Sequence, residues 1–130
     1  MFVLDSRLEQ DTLNLGDFPL CRLLLMKHAN YPWFIFLPRR EEVSEVVELG
    51  SQDQEMLWRE ATALAETLRD TFHADKMNVA TLGNVVSQLH VHVIARRRDD
   101  AAWPAPVWGR HSANPYADAQ IAAIRQKLKL

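Results

Sequence analysis

Between residues 52 and 72, Leu57, Ala61, Leu64, Leu68 and Phe72 recur at intervals of four and three. That spacing puts one apolar stripe along a long amphipathic helix, and the stripe must be buried against something. The rest of the chain offers mainly short apolar runs of strand length, at residues 20–26, 33–37, 77–81 and 89–95. The first two are separated by His28-Ala29-Asn30 and Tyr31-Pro32, a break that suits an antiparallel pair. The expected class is therefore α+β: an antiparallel β-sheet with one long helix packed on it. Ser51 followed by Gln54 has the form of a capping box at the start of that helix. A C-terminal helix is expected with Asn114 as N-cap and Pro115 in its first position, burying Ile121, Ile124 and Leu128. Residues 41–49 suggest a short helical turn with Val43, Val46 and Val47 on one face, and residues 99–109 read as a loop.

A chain of 130 residues supports one domain, residues 1–130. With 48% apolar and 25% charged residues, 4 glycines and 1 cysteine, it fits neither a collagen-like nor a disordered nor a disulfide-framework class. Fifteen basic residues against 17 acidic ones leave a net charge of −2, with no electrostatic footprint for sequence-independent nucleic-acid binding. Cys21 has no partner for an intramolecular disulfide, which suits a reducing compartment. The early apolar residues are interrupted by Asp5, Arg7 and Glu9, so no signal peptide is read, and no run approaches the roughly 20 apolar residues of a membrane span. The expectation is a cytoplasmic protein with neither nucleic-acid nor membrane partners.

Chemistry concentrates in Gln88-Leu89-His90-Val91-His92-Val93-Ile94. Alternation on a strand turns Leu89, Val91 and Val93 to one face and Gln88, His90 and His92 to the other. The apolar set suits a helix-covered face. Two imidazoles on residues whose Cα atoms lie about 6.5–7 Å apart along a strand can hold one anion between them, one attacking and one donating a hydrogen bond.

Taken with Asn78 and Gly83-Asn84 upstream and Ala95-Arg96 downstream, this segment resembles the histidine triad (HIT) superfamily of nucleotide hydrolases and transferases. The family signature has three histidines alternating with apolar residues and closed by an apolar pair. Residues 33–39, Trp-Phe-Ile-Phe-Leu-Pro-Arg, are similar to an earlier family strand that ends in proline and a basic residue, and the long helix falls where the family has its principal helix. The resemblance extends over about residues 2–98. Taking His90 as the first histidine would put Ile94 third and Ala95-Arg96 in the apolar pair, which fails. Taking Gln88 as first makes His90 the middle and His92 the third member, followed by Val93-Ile94.

The resemblance then implies that His90 is the nucleophile, that His92 donates to a non-bridging or leaving-group oxygen, and that Gln88 orients His90. Asn78 would contact phosphate, Gly83 would let backbone N–H groups approach it, and Asn84 stands where the family usually carries Gln. No metal or other cofactor is required. The implied activity is hydrolysis, through a nucleotidyl-histidine intermediate, of a phosphoramidate or phosphoanhydride of a purine nucleotide. Transfer to phosphate or a sugar phosphate is one alternative, and a nucleotide-binding module that has lost its chemistry, with Gln88 as the mark of decay, is another. A homodimer is expected by the same resemblance.

Each residue also has a plainer reading. Zinc wants three or four ligands, and beyond His90 and His92 the chain has only His28, His73 and His111. His28 reads as an exposed loop residue and His73 as a favourable charge at the end of the long helix. Asn78 could be no more than a turn former, and Gly83-Asn84 is equally a turn dipeptide. Trp33, Trp103 and Trp108 read as core aromatics, with cover for a nucleobase or a dimer partner as the alternative. Arg96-Arg97-Arg98 reads as a solvated strand end, with a phosphate-facing arginine as the alternative.

Overall fold

The computed structural model describes residues 1–110 and 112–130; His111 lies outside the described residues. In chain order the elements are α1 (Ser6–Asp11), β1 (Thr12–Asp17), β2 (Cys21–Met26), β3 (Trp33–Pro38), a 3-10 turn (Val46–Glu48), α2 (Ser51–Thr71), β4 (Lys76–Ala80), β5 (Val91–Arg96) and α3 (Asp118–Leu128). The strands form a five-stranded sheet in the order β1-β2-β3-β5-β4, with every neighbouring pair antiparallel. The α+β architecture expected from the sequence is the one observed.

The sheet has two unlike faces because each central strand alternates. Leu23, Leu25, Phe34, Phe36, Val91 and Val93 turn to one side, where they meet Leu57, Ala61, Leu64 and Leu68 of α2. Glu60 of the same helix accepts hydrogen bonds from the Leu20 and Cys21 backbone amides at 2.9 and 3.0 Å, clamping the start of β2. On the opposite face Leu24, Ile35 and Leu37 pack with Leu8 of α1, and Trp33 and Ile94 pack with Tyr31, Ala102 and Val107. The histidine-bearing side of β5 is therefore the side that α2 leaves uncovered.

Several local expectations need correction. Gly50, not Ser51, is the N-cap of α2, and the Gln54 side chain donates instead to the Leu49 carbonyl at 2.9 Å. Helix α3 starts at Asp118 rather than after Asn114. Asn114 is held in the preceding segment, its carbonyl accepting from the Ala29 amide and its side-chain amide donating to Asn30. Ile124 is buried while Ile121 and Leu128 are half-buried, so the expected face is kept. Val43 and Val46 pack on the core, but Val47 is exposed. Strand β5 begins at Val91, leaving His90 on the residue just before it.

Arg96 is no solvated strand end: it is 1% exposed, whereas Arg97 and Arg98 are exposed. Its guanidinium grips both Asp100 oxygens at 2.7 and 3.0 Å, Asn78 Oδ1 at 2.9 Å and the Ala105 carbonyl at 2.9 Å, and it lies near the rings of Tyr31 and Trp103. Asp100 also accepts from the backbone amides of Arg97, Ala102 and Trp103. One buried ion pair thus shapes the turn that carries residues 99–108 back over the sheet. Breaking such a pair strands a buried charge, which costs about 3–5 kcal/mol.

Burial alone would raise the Asp100 carboxyl, but the Arg96 hydrogen bonds and charge and the Arg97 and Trp103 amides hold it below its ordinary value of 3.8. A depressed carboxyl stabilises the fold above the unfolded pKa and loses that contribution as pH falls through the folded one. Asp100→Asn is accordingly expected to lower unfolding free energy by about 3–5 kcal/mol in urea melts at pH 7. The difference from wild type should narrow below about pH 4; an unchanged midpoint at pH 7 would contradict this role for the pair.

Candidate active site

A cavity of about 370 Å³ opens on the uncovered face of the sheet, within the size range of small-molecule sites. Its floor is His90, His92, Ile35 and Trp33, while the loop of residues 82–86 and Trp108 make two walls. Antiparallel pairing sets His92 opposite Ile35 and Trp33 opposite Ile94, two positions along the ladder, so Trp33 and His92 share a face. Both histidines are only 5% exposed. Their ring centroids are 5.0 Å apart at 69°, and Trp108 stands edge-on to His92, also at 5.0 Å.

The partners of the two rings dictate their protonation. His90 Nδ1 lies 2.6 Å from the Gln88 main-chain carbonyl. A carbonyl only accepts, so Nδ1 carries the proton, and in the neutral ring Nε2 keeps its lone pair. His92 Nδ1 accepts from the Trp33 indole N–H at 2.9 Å. An indole only donates, so this Nδ1 is unprotonated and the neutral ring carries its proton on Nε2. Two neighbouring imidazoles are thereby set in opposite tautomers, one with a free nucleophilic nitrogen and one with a free donor. Burial, with a smaller contribution from His90, pushes the His92 pKa down to about 3, so this ring is neutral throughout the physiological range.

The Gln88 side chain is engaged elsewhere. Its Oε1 accepts from the Asp5 amide and its Nε2 donates to the Val3 carbonyl, each at 2.8 Å. Orientation of His90 therefore comes from the Gln88 main chain, not from its amide. Gly83, at φ 73°, and Asn84 both line the cavity. Asn78 does not: it lies on β4 opposite Ile94, its oxygen taken by Arg96. Its expected contact with phosphate gives way to a structural one.

His28, expected on the surface, is buried to 6% exposure beside Tyr31 and Trp33, while His73 is exposed in left-handed backbone after α2. Among the described residues no cluster of three or more His, Cys, Asp or Glu side chains is arranged to hold a metal ion. The sequence reading gave no site role to Trp33, Trp108, Arg7 or Asp11, all of which line the cavity. Trp33 had a usable signal: it alternates with Ile35 and Leu37 in the strand next to the histidines.

A sheet face that turns two complementary imidazoles toward a largely apolar cavity brings a lone pair and a proton donor together in one site. The HIT domain family model matches residues 7–99. The chain belongs to the HIT domain family, whose members are generally nucleotide-binding hydrolases or transferases. It is similar to a histidine triad protein from Marinobacter aquaeolei, at 46% identity over 99% of this chain and 94% of that one, with a TM-score of 0.97. A Bradyrhizobium japonicum histidine triad protein aligns at 41% identity, over 98% and 96%, with a TM-score of 0.97. A histidine triad protein from Sinorhizobium meliloti aligns at 42%, over 98% and 95%, with a TM-score of 0.96. Comparison with curated proteins gave no match. Among the described residues no helix is long and apolar enough to cross a membrane.

A neutral His92 has a measurable consequence. An unfolded histidine takes up a proton near 6.5 while folded His92 does so only near 3, so its contribution to stability is present above pH 6.5 and lost as pH falls toward 3. The His92 imidazole resonances are expected to stay at neutral-ring positions from pH 8 to about pH 4. Titration with a midpoint near 6.5 would contradict the buried, indole-bound ring.

Proposed function

We propose that the protein is a nucleotide hydrolase working through a nucleotidyl-histidine intermediate. The observation that carries this reading is the opposite tautomers of His90 and His92, because in-line attack needs a free lone pair beside a free donor. His90 Nε2 attacks the α-phosphorus of a nucleotide, and the bond to the leaving group, P–O in a phosphoanhydride or P–N in a phosphoramidate, breaks. The ring becomes cationic as the P–N bond to His90 forms, and its Nδ1–H lies against the Gln88 carbonyl, whose dipole stabilises that charge. His92 Nε2–H donates to a non-bridging oxygen or to the leaving atom as negative charge grows there. Water then attacks the phosphorus, the bond to His90 breaks, and the nucleoside monophosphate leaves.

The other cavity residues suit this chemistry. Gly83 keeps the loop open where its amide meets phosphate, and Asn84 offers a nearby amide. Trp108, Met26, Ile35 and Val86 supply an apolar wall for a purine base. Two protomers forming a dimer, as HIT proteins often do, is the assembly proposed here.

The experiment is single-turnover reaction with an α-labelled nucleoside phosphoramidate, quenched without acid. Wild type is expected to carry label on His90, and His90→Ala to carry none and to lose at least a thousandfold in kcat. Full turnover by His90→Ala would overturn the mechanism. His92→Phe removes the Nε2 donor together with the acceptor of the Trp33 indole, and its kcat is expected to fall about 10²–10³-fold.

A further inference from the structure

The Gln88 amide, which leaves the histidines alone, holds the N-terminal segment by two hydrogen bonds, one to the Asp5 amide and one to the Val3 carbonyl. Asp5 in turn caps α1 through the Arg7 amide at 2.8 Å, and Leu8 buries that helix against Leu24, Ile35 and Leu37. So fastened, α1 presents Arg7 and Asp11 to the cavity that holds His90 and His92. Arg7 is the one Lys or Arg among the described residues lining that cavity. Its guanidinium has no hydrogen bond or ion pair among the described residues, Asp11 included. A cation with no protein partner in the lining of the cavity is available to an anionic ligand.

Resting on the hydrolase reading above, we propose that Arg7 binds the leaving-group phosphate of the substrate and that Gln88 is the positioning residue that holds Arg7 in place. His92 serves the α-phosphoryl oxygens, so a further cation lining the same cavity is available to the phosphates beyond. The favoured substrate class is then a nucleotide with a phosphate-bearing leaving group, such as a dinucleoside polyphosphate, over a phosphoramidate of a neutral amine. Gln88 accordingly serves as a fastening of the N-terminal segment.

The test compares a dinucleoside polyphosphate with a nucleoside phosphoramidate of a neutral amine. Arg7→Ala is expected to raise KM at least tenfold for the first with kcat within threefold, and less than twofold for the second; Arg7→Lys should recover most of the loss. Gln88→Ala should produce the same selective rise in KM and faster exchange of the Asp5 amide, and combining it with Arg7→Ala should add little, since the two act as one unit. Equal effects on both substrates, no effect on either, or full additivity of the two substitutions would overturn the assignment. Wild type inert toward both substrates would instead overturn the hydrolase reading, and this proposal with it. Normal amide exchange in Gln88→Ala would remove the positioning role and leave Arg7 to be judged by its own substitution.

Discussion

Two hydrogen bonds with partners that cannot exchange roles carry the functional logic of this fold. A main-chain carbonyl forces a proton onto His90 Nδ1, and an indole N–H keeps one off His92 Nδ1. Had both partners been water, which donates and accepts alike, each neutral ring would sample both tautomers. Neither the carbonyl nor the indole can exchange its role, so the neutral rings divide lone pair from donor in one fixed way. Preorganisation of this kind is what makes fixed dipoles effective in a dry site.

The rest of the architecture can be understood as support for those contacts. Pairing of β3 with β5 brings the Trp33 indole beside His92, and α2 covers the other face, which leaves the histidines to the cavity side. The buried Arg96–Asp100 pair bends the chain after β5 and returns Val107 and Trp108 against Trp33 and His92. Asn78 belongs to that support and not to the ligand site. The N-terminal segment closes a further side through Gln88 and Leu8.

The long helix, the central strands and the outward-facing histidines were legible from the sequence because each has a clean period. Helix α1 and strand β1 were not. Six residues are too few to show a helical stripe, and β1 carries a register shift between Asn14 and Gly16, with Gly16 at φ 133°, which breaks the alternation. Side-chain roles set by distant partners were also hidden. Arg96 looks like one of three surface arginines until Asp100 and Asn78 fold onto it. Gln88 looks like a defective triad member until residues 3–5, some 83 to 85 positions away, reach its amide. Asn114 has the composition of a helix cap but its carbonyl is drawn to Ala29.

Long-range proton–nitrogen correlation spectra of the histidine rings at neutral pH address the central claim most directly. The account requires His90 to be protonated at Nδ1 and His92 at Nε2, with the His92 pattern disturbed in Trp33→Phe and the His90 pattern unchanged. The same tautomer in both rings, or rapid averaging between tautomers in either, would contradict it.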